Sequence, residues 1–234
     1  MSVGIVVVSH SRKIAEGIVE LAAQMAGTTR IIAAGGTDDG GIGTSFDAVT
    51  SALQTADDGG GVVVLCDLGS AVLTAETALD FLDDDARART RIVDAPIVEG
   101  TVAAAVAAES GGTLDGVAAA AETANRAPAA GSPDSASADA DASARADAVS
   151  AATTLVNKDG LHARPASDFV KLASSFDASI TVNGVDAKSL LRIMSLGLAA
   201  GRRVELEATG PSAVAALAAL VDLIDSGFGE PRAN

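Results

Sequence analysis

The chain has 234 residues, a formal net charge of −15, 48% hydrophobic side chains and only 2% aromatic ones. That balance excludes a nucleic-acid partner, which needs a basic face and often aromatic stacking platforms. A single cysteine, no charged leader and no apolar run long enough to span a bilayer predict a cytoplasmic protein with no membrane segment.

Gly4–Ser9 (GIVVVS) is a short continuous apolar run, the pattern of a buried strand. Lys13–Ala26 follows as a helix with Ile14, Ile18, Leu21, Ala22 and Met25 on one face. A strand is predicted near Arg30–Ala34. Thr44-Ser45-Phe46-Asp47 reads like a capping box opening the next helix, whose apolar face is Phe46, Val49 and Leu53. Val62–Cys66 predicts a third buried strand. Ser70–Leu82 predicts a helix with Val72, Ala75, Leu79 and Leu82 inward. Arg91–Asp94 predicts a fourth strand, and Ala-rich helices fill Val102–Ala124. Strands alternating with helices imply an α/β domain with a parallel sheet covered on both faces.

Residues 128–148 (PAAGSPDSASADADASARADA) contain no Leu, Ile, Val, Phe or Met. Such a segment buries too little apolar surface to offset ordering, so 127–149 is read as a flexible linker between domains at 1–126 and 150–234. An Ala-rich solvated helix is the alternative. As a flexible chain it spans roughly 25–28 Å, which holds the two domains at an effective concentration of about millimolar. The acidity belongs to the first domain, where residues 1–126 carry 7 Lys/Arg against 18 Asp/Glu; residues 151–234 carry 8 against 9.

The second domain has a different rhythm. Thr153–Asn157 predicts a strand and Pro165–Ser175 a helix with Pro in its first turn. Ser179–Val182 and Val185–Ala187 flank Asn183-Gly184, a tight-hairpin signal. Ser189–Leu196 predicts a short helix, Val204–Ala208 an alternating strand, and Pro211–Asp225 a helix with Val214, Leu217, Leu220, Val221 and Ile224 inward. The order predicts a small α+β open-faced sandwich with helices on one face of its sheet.

In a parallel α/β sheet, ligands gather outside the carboxyl ends of the strands. His10, the loop Gly35–Ser45 (GGTDDGGIGTS), Asp67-Leu68-Gly69-Ser70 and Ala95–Glu99 all fall there. A neutral imidazole attacks phosphorus with one nitrogen when the other keeps its proton. Asp67 is placed to accept that proton's hydrogen bond and fix the tautomer. Gly41, Gly43, Thr44 and Ser45 are candidates for a loop offering donors to phosphate oxygens. The loop lacks the Gly-Lys-Ser ending of a nucleotide-binding P-loop. In the second domain His162 sits just before a helix start, where free N–H groups bind phosphate oxygens. Arg164 offers a planar fork suited to phosphate, at a place where a cation opposes the helix dipole. Ser189, at the start of the short helix, reads first as an N-cap hydroxyl.

VVVSHS at Val6–Ser11, GGTDDGGIGTS at Gly35–Ser45 and CDLGSA at Cys66–Ala71 resemble the phosphotransfer subunits of phosphoenolpyruvate-dependent dihydroxyacetone kinases, which begin with a domain of the mannose-type IIA fold. NKDGLHARPAS at Asn157–Ser167 and DAKSLLRIMSLG at Asp186–Gly197 resemble HPr, the histidine-containing phosphocarrier. The resemblance implies that His10 and His162 are phosphoacceptors, that Arg164 neutralises the phosphoryl group and that Ser189 maps to a regulatory serine of some phosphocarriers. It implies Enzyme I as donor, ADP-binding and dihydroxyacetone-binding kinase subunits as partners, and a homodimer formed through the IIA-like domain. It implies no cofactor and no metal of the chain's own. A phosphocarrier for a mannose-type sugar transporter and a phosphorylation-state regulator are the alternatives. Asp67 is followed by Leu68-Gly69-Ser70-Ala71 rather than the Gly-Gly-Ser-Pro usual in the mannose branch, which favours the dihydroxyacetone reading.

Overall fold

The computed structural model describes residues 1–125 and 148–232. The chain divides into two compact units, Met1–Arg126 and Ala127–Asn234. All of the expected linker except its last two residues lies outside the described residues.

The first unit is a four-stranded parallel sheet of β1 (Gly4–Ser9), β2 (Ile31–Gly35), β3 (Val62–Cys66) and β4 (Thr90–Val93), in the order β2-β1-β3-β4. Helices cover both faces, so the two central strands are apolar throughout and lack alternation. On one face Val6, Val8, Val62 and Val64 pack against Val49, Ala52, Leu53 and Ala56 of α2 (Phe46–Ala56) and Ala71, Ala75 and Ala78 of α3 (Gly69–Asp80). On the other lie α1 (Arg12–Ala23) and α5 (Ile97–Glu109), joined by α6 (Leu114–Glu122). Gly4 permits the close approach of α2, because a Cβ there would stand 2.3 Å from the carbonyl oxygen of Ala56.

Several expected details shift. In α1 the buried stripe is Ala15, Ile18 and Ala22, with Met25 just beyond its end, while Ile14 and Leu21 are about half exposed. Small residues turn inward where α1 lies close to the sheet, and the larger ones rotate out. α5 begins at Ile97, five residues before the expected start, because Pro96 caps it and Gly100 N–H already reaches Pro96 C=O. The strand-end loop expected at Ala95–Glu99 is therefore largely helix. A short helix, α4 (Asp84–Ala88), capped by Asp83, was not anticipated.

The second unit runs β5 (Val149–Thr154), α7 (Ala163–Ser174), β6 (Ser179–Val182), β7 (Val185–Asp186), α8 (Leu190–Ser195), β8 (Arg203–Thr209) and α9 (Ala213–Asp225). Its antiparallel sheet has the order β5-β8-β6-β7, the expected α+β arrangement. Asn183 and Gly184 take φ of 47° and 81°, the two left-handed positions of the hairpin turn. Phe169, Leu155, Ile180, Leu206, Leu220 and Ile224 fill the core. β5 starts four residues before the expected strand: its Ala and Thr side chains give little apolar signal, and Leu155–Asn157 belong to the turn that follows. Val214 points outward at 71% exposure, because the buried stripe of α9 is Ala213, Ala216, Leu217, Leu220 and Ile224.

Candidate active sites on the two units

Parallel register fixes the first site. Val8 pairs with Cys66, so His10 and Asp67 leave their strands side by side at the carboxyl edge. Asp67 accepts four hydrogen bonds. Oδ2 takes the His10 backbone N–H at 2.8 Å and the Ser9 hydroxyl at 2.9 Å. Oδ1 takes the Leu68 N–H at 2.8 Å and lies 2.9 Å from His10 Nδ1. Burial pushes the Asp67 carboxyl up, but the bonds from the His10 backbone and ring and from Ser9 outweigh it and hold the group below the usual carboxylate range. An ionised carboxylate only accepts, so Nδ1 carries the proton and Nε2 carries the lone pair. Nε2 lies 2.7 Å from the Ser70 hydroxyl, which donates to it. The side chains of His10 and Asp67 are 21% and 16% exposed, enough for an incoming group to reach the ring.

The glycine-rich loop has a different part from the one its composition suggests. Gly43 N–H donates to His10 C=O at 2.9 Å, and Gly41 N–H donates to Asp39 at 3.3 Å. The Thr44 hydroxyl pairs with that of Thr74 at 2.8 Å. The Ser45 hydroxyl donates to Asp38 and accepts the Ala48 N–H at 3.0 Å, so Ser45, not Thr44, caps α2, and the expected capping box is absent. These groups are committed to shaping the loop and holding the backbone of His10. Gly35 lets the loop lie on the start of α1, where a Cβ would stand 2.7 Å from Ser11 C=O. The donors beside the His10 ring come from α3 instead: the Ser70 hydroxyl, together with first-turn N–H groups of Gly69 and Ser70 that have no intrahelical acceptor. Ser9 and Ser70 were both missed, although Ser70 stands three residues after Asp67 in the quoted motif. Cys66, next to Asp67, is no rival nucleophile, since burial and the neighbouring carboxylate push its thiol up to about 12.

In the second unit His162 is the N-cap of α7, and the N–H groups of Ala163 and Arg164 open that helix with no intrahelical acceptor. Arg164 is exposed and forms no ion pair among the described residues. His162 Nε2 lies 3.1 Å from Glu230 Oε1 and 3.3 Å from Oε2. Asn157 is fully buried and donates from Nδ2 to Gly160 C=O at 2.6 Å and to Glu230 Oε2 at 3.0 Å. Gly160, at φ 67°, is pressed so close to Leu198 C=O that a Cβ would stand 2.3 Å away. Glu230 went unnoticed in the sequence because it lies 68 residues from His162, beyond the last helix. Ser189 occupies the N-cap position of α8, but its hydroxyl makes no cap bond and is buried without a partner. Phosphorylation there requires this segment to open. Among the described residues no cluster of His, Cys, Asp or Glu is arranged to hold a metal ion, and no helix is long and apolar enough to cross a membrane.

Comparison with known proteins agrees with this two-part layout. The family model for the PTS system fructose IIA component, of mannose type, matches residues 4–118, and that for the PTS HPr component phosphorylation site matches residues 149–226. A phosphoryl donor subunit DhaM of PEP-dependent dihydroxyacetone kinase from Listeria innocua is 46% identical over 105 residues, 44% of this chain and 84% of that protein. The chain belongs to the DhaM family of phosphoryl donor subunits. A second DhaM, from Klebsiella michiganensis, is 39% identical over 242 residues, covering 98% of this chain and 51% of that protein. The chain thus spans about half the length of the relatives that match both of its units. The crystal structure of EF1359, a protein of unknown function, superposes with a TM-score of 0.50 at 38% identity, covering 54% of this chain and 98% of that one.

Proposed function

We propose that the chain is a cytoplasmic phosphohistidine relay that feeds a dihydroxyacetone kinase. Phosphate passes from phosphoenolpyruvate through Enzyme I to His162, then to His10, then to ADP on a partner kinase subunit, and finally to dihydroxyacetone. The observation that carries this reading is the His10 ring, held by Asp67 at one nitrogen with its other nitrogen turned to the Ser70 hydroxyl. In the transfer from His162, the Nε2 lone pair of His10 attacks phosphorus. The P–N bond to His162 breaks, and its electron pair returns to that ring. The proton stays on His10 Nδ1, hydrogen-bonded to the Asp67 carboxylate, which stabilises the imidazolium formed. Ser70 Oγ–H turns from the lone pair to a phosphoryl oxygen. Histidine-to-histidine transfer is nearly isoenergetic, so catalysis needs only positioning and charge neutralisation, the latter supplied at His162 by Arg164.

The test supplies labelled phosphoenolpyruvate and Enzyme I to wild type, His162→Ala and His10→Ala, followed by the kinase subunits and dihydroxyacetone. The relay requires no label on His162→Ala, trapped label on His10→Ala, and turnover to dihydroxyacetone phosphate only in wild type. Efficient labelling of His10 in a chain lacking His162, with no added carrier, refutes the proposed order.

A further inference from the structure

In the proposed relay both rings carry the same anionic group, yet charge neutralisation has a source at His162 and none so far at His10. The first unit offers few cations for that task. Residues 1–125 hold six Lys and Arg against 18 Asp and Glu. Four of the six are committed within the fold: Arg30 pairs with Asp58, Arg87 with Asp80, Arg89 with Asp57 and Arg91 with Asp115. Arg12 and Lys13 remain, both exposed and neither in an ion pair among the described residues. They open α1, directly after the turn that carries His10. A cation in the first turn of a helix opposes the dipole. Glu16 stands at the spacing for a pair with Arg12, and none forms. Stability therefore gives no reason for these two charges.

Helical geometry separates them. The buried stripe of α1 is Ala15, Ile18 and Ala22. At about 100° per residue, Lys13 falls opposite that stripe, toward solvent, while Arg12 falls on its flank. A Cβ on Gly36 would stand 3.5 Å from Arg12 Cβ, so Arg12 leaves the helix beside the base of the glycine loop, at the carboxyl edge of the sheet. The acids of that loop are engaged elsewhere: Asp38 takes the Ser45 hydroxyl, and Asp39 takes the Thr37 hydroxyl and the Gly41 N–H. Two residues span at most about 7 Å of chain, which puts a group carried on the His10 ring within reach of the guanidinium. His162 and Arg164 share the spacing, a histidine followed two residues later by an exposed, unpaired arginine in the first turn of a helix.

We propose that Arg12 is the cation of the first site. Its guanidinium contacts the phosphoryl group on Nε2 of His10 from the side of β2, as the Ser70 hydroxyl does from the side of β3. This is a catalytic role, and it rests on the reading of His10 as a phosphoacceptor. No bond to Arg12 forms or breaks. As the bond to phosphorus passes from His162 to His10, the phosphoryl oxygens exchange the fork of Arg164 for the fork of Arg12. Lys13 carries the same charge on the solvent side and takes no part.

The full chain, with a trace of Enzyme I and less phosphoenolpyruvate than chain, tests this. At equilibrium ³¹P NMR reads the share of phosphate on each histidine, and His10→Ala assigns the signal of His162. In Arg12→Ala the ratio of phosphate on His10 to that on His162 should fall about tenfold, the low end for a hydrogen bond to a charged group. Arg12→Lys should recover part of that loss. Lys13→Ala removes the same charge and should stay within twofold of wild type. The first unit of Arg12→Ala should melt no lower than wild type, because the lost cation opposed the dipole. A merely structural role for Arg12 predicts a lower melting temperature and an unchanged ratio. An unchanged ratio in Arg12→Ala, with phosphate on both histidines, overturns the role of Arg12 and leaves the relay standing. An equal fall in Lys13→Ala overturns the specific contact in favour of the general charge of the helix. If wild type carries no phosphate on His10, the relay and the role of Arg12 fall together.

Discussion

Asp67→Asn keeps the shape of the side chain at His10 and inverts half of its hydrogen bonding. Asp67 accepts two bonds on each oxygen. An asparagine whose oxygen faces Ser9 and the His10 N–H must turn its amide nitrogen toward His10 Nδ1 and the Leu68 N–H. That nitrogen donates only, so it stabilises a lone pair on Nδ1 and a proton on Nε2, which removes the pair needed for attack. A hydrogen bond to a charged group contributes about 1.5–3 kcal/mol. Losing it therefore lowers the reactive tautomer by about 10- to 150-fold. The assay is rapid-quench transfer within the chain after phosphorylation of His162 by Enzyme I. Loading of His162 should be unchanged, while transfer to His10 slows by that factor. A variant that folds and transfers within twofold of wild type refutes the tautomer argument. The same substitution has a pH signature. The Asp67 carboxyl lies below its usual range in the folded chain, so its contribution to stability is present above the unfolded value and is lost as pH falls through the folded one. Acid unfolding monitored below the usual carboxylate range should show a shallower pH dependence in Asp67→Asn.

Other substitutions separate chemistry from support. Ser70→Ala removes a donor from the phosphorylated ring, and the fraction of His10 phosphorylated at equilibrium should fall about 2- to 13-fold, measured by ³¹P NMR. Arg164→Lys should recover only part of the labelling rate lost in Arg164→Ala, because an ammonium lacks the planar fork; full recovery would leave simple charge as the explanation. Gly160→Ala forces a Cβ against Leu198 C=O at a positive φ. At about 1–3 kcal/mol of strain and roughly 4–8 °C per kcal/mol for a domain of this size, its second unit should melt at least several degrees lower. An unchanged melting temperature would contradict the close packing of this turn.

The parts of both sites carried by strand order were legible in the sequence, and the parts carried by long loops were not. Gly4–Ser9 and Val62–Cys66 are apolar throughout, which marks central parallel strands, and their register brings His10 to Asp67. The glycine loop misled because composition reports conformational freedom and says nothing of where N–H groups point; here Gly43 turns its donor back onto His10 C=O. Periodicity placed α1 correctly but misassigned Ile14 and Leu21, since a helix lying close to a sheet buries alanine and leaves larger neighbours outside. Glu230 was invisible for a further reason. Its place depends on a left-handed Phe228 and a bridge from Arg232 to Asn157, and neither has a sequence signature.

The two histidines are held by the same device applied to opposite nitrogens. Asp67 faces Nδ1 of His10 and leaves Nε2 to Ser70, while Glu230 faces Nε2 of His162. In the proposed relay each carboxylate therefore stands behind its ring, away from the travelling phosphoryl group, and neither negative charge faces it. In-line transfer needs donor nitrogen, phosphorus and acceptor nitrogen on one axis, and in the proposed relay the nitrogen of each ring turned away from its acid supplies an end. The cations and donors of each unit stand with its own histidine: Arg164 and the open turn of α7 with His162, Ser70 and the open turn of α3 with His10. This division makes a sharp demand on the double variant Asp67→Asn/Glu230→Gln. If each acid acts only on its own ring, the slowing of transfer in the double variant equals the product of the single effects, whereas a shared effect through the phosphoryl group makes it smaller. Rapid-quench rates on the four chains of that cycle decide between the two, and a clear departure from the product would refute independent positioning.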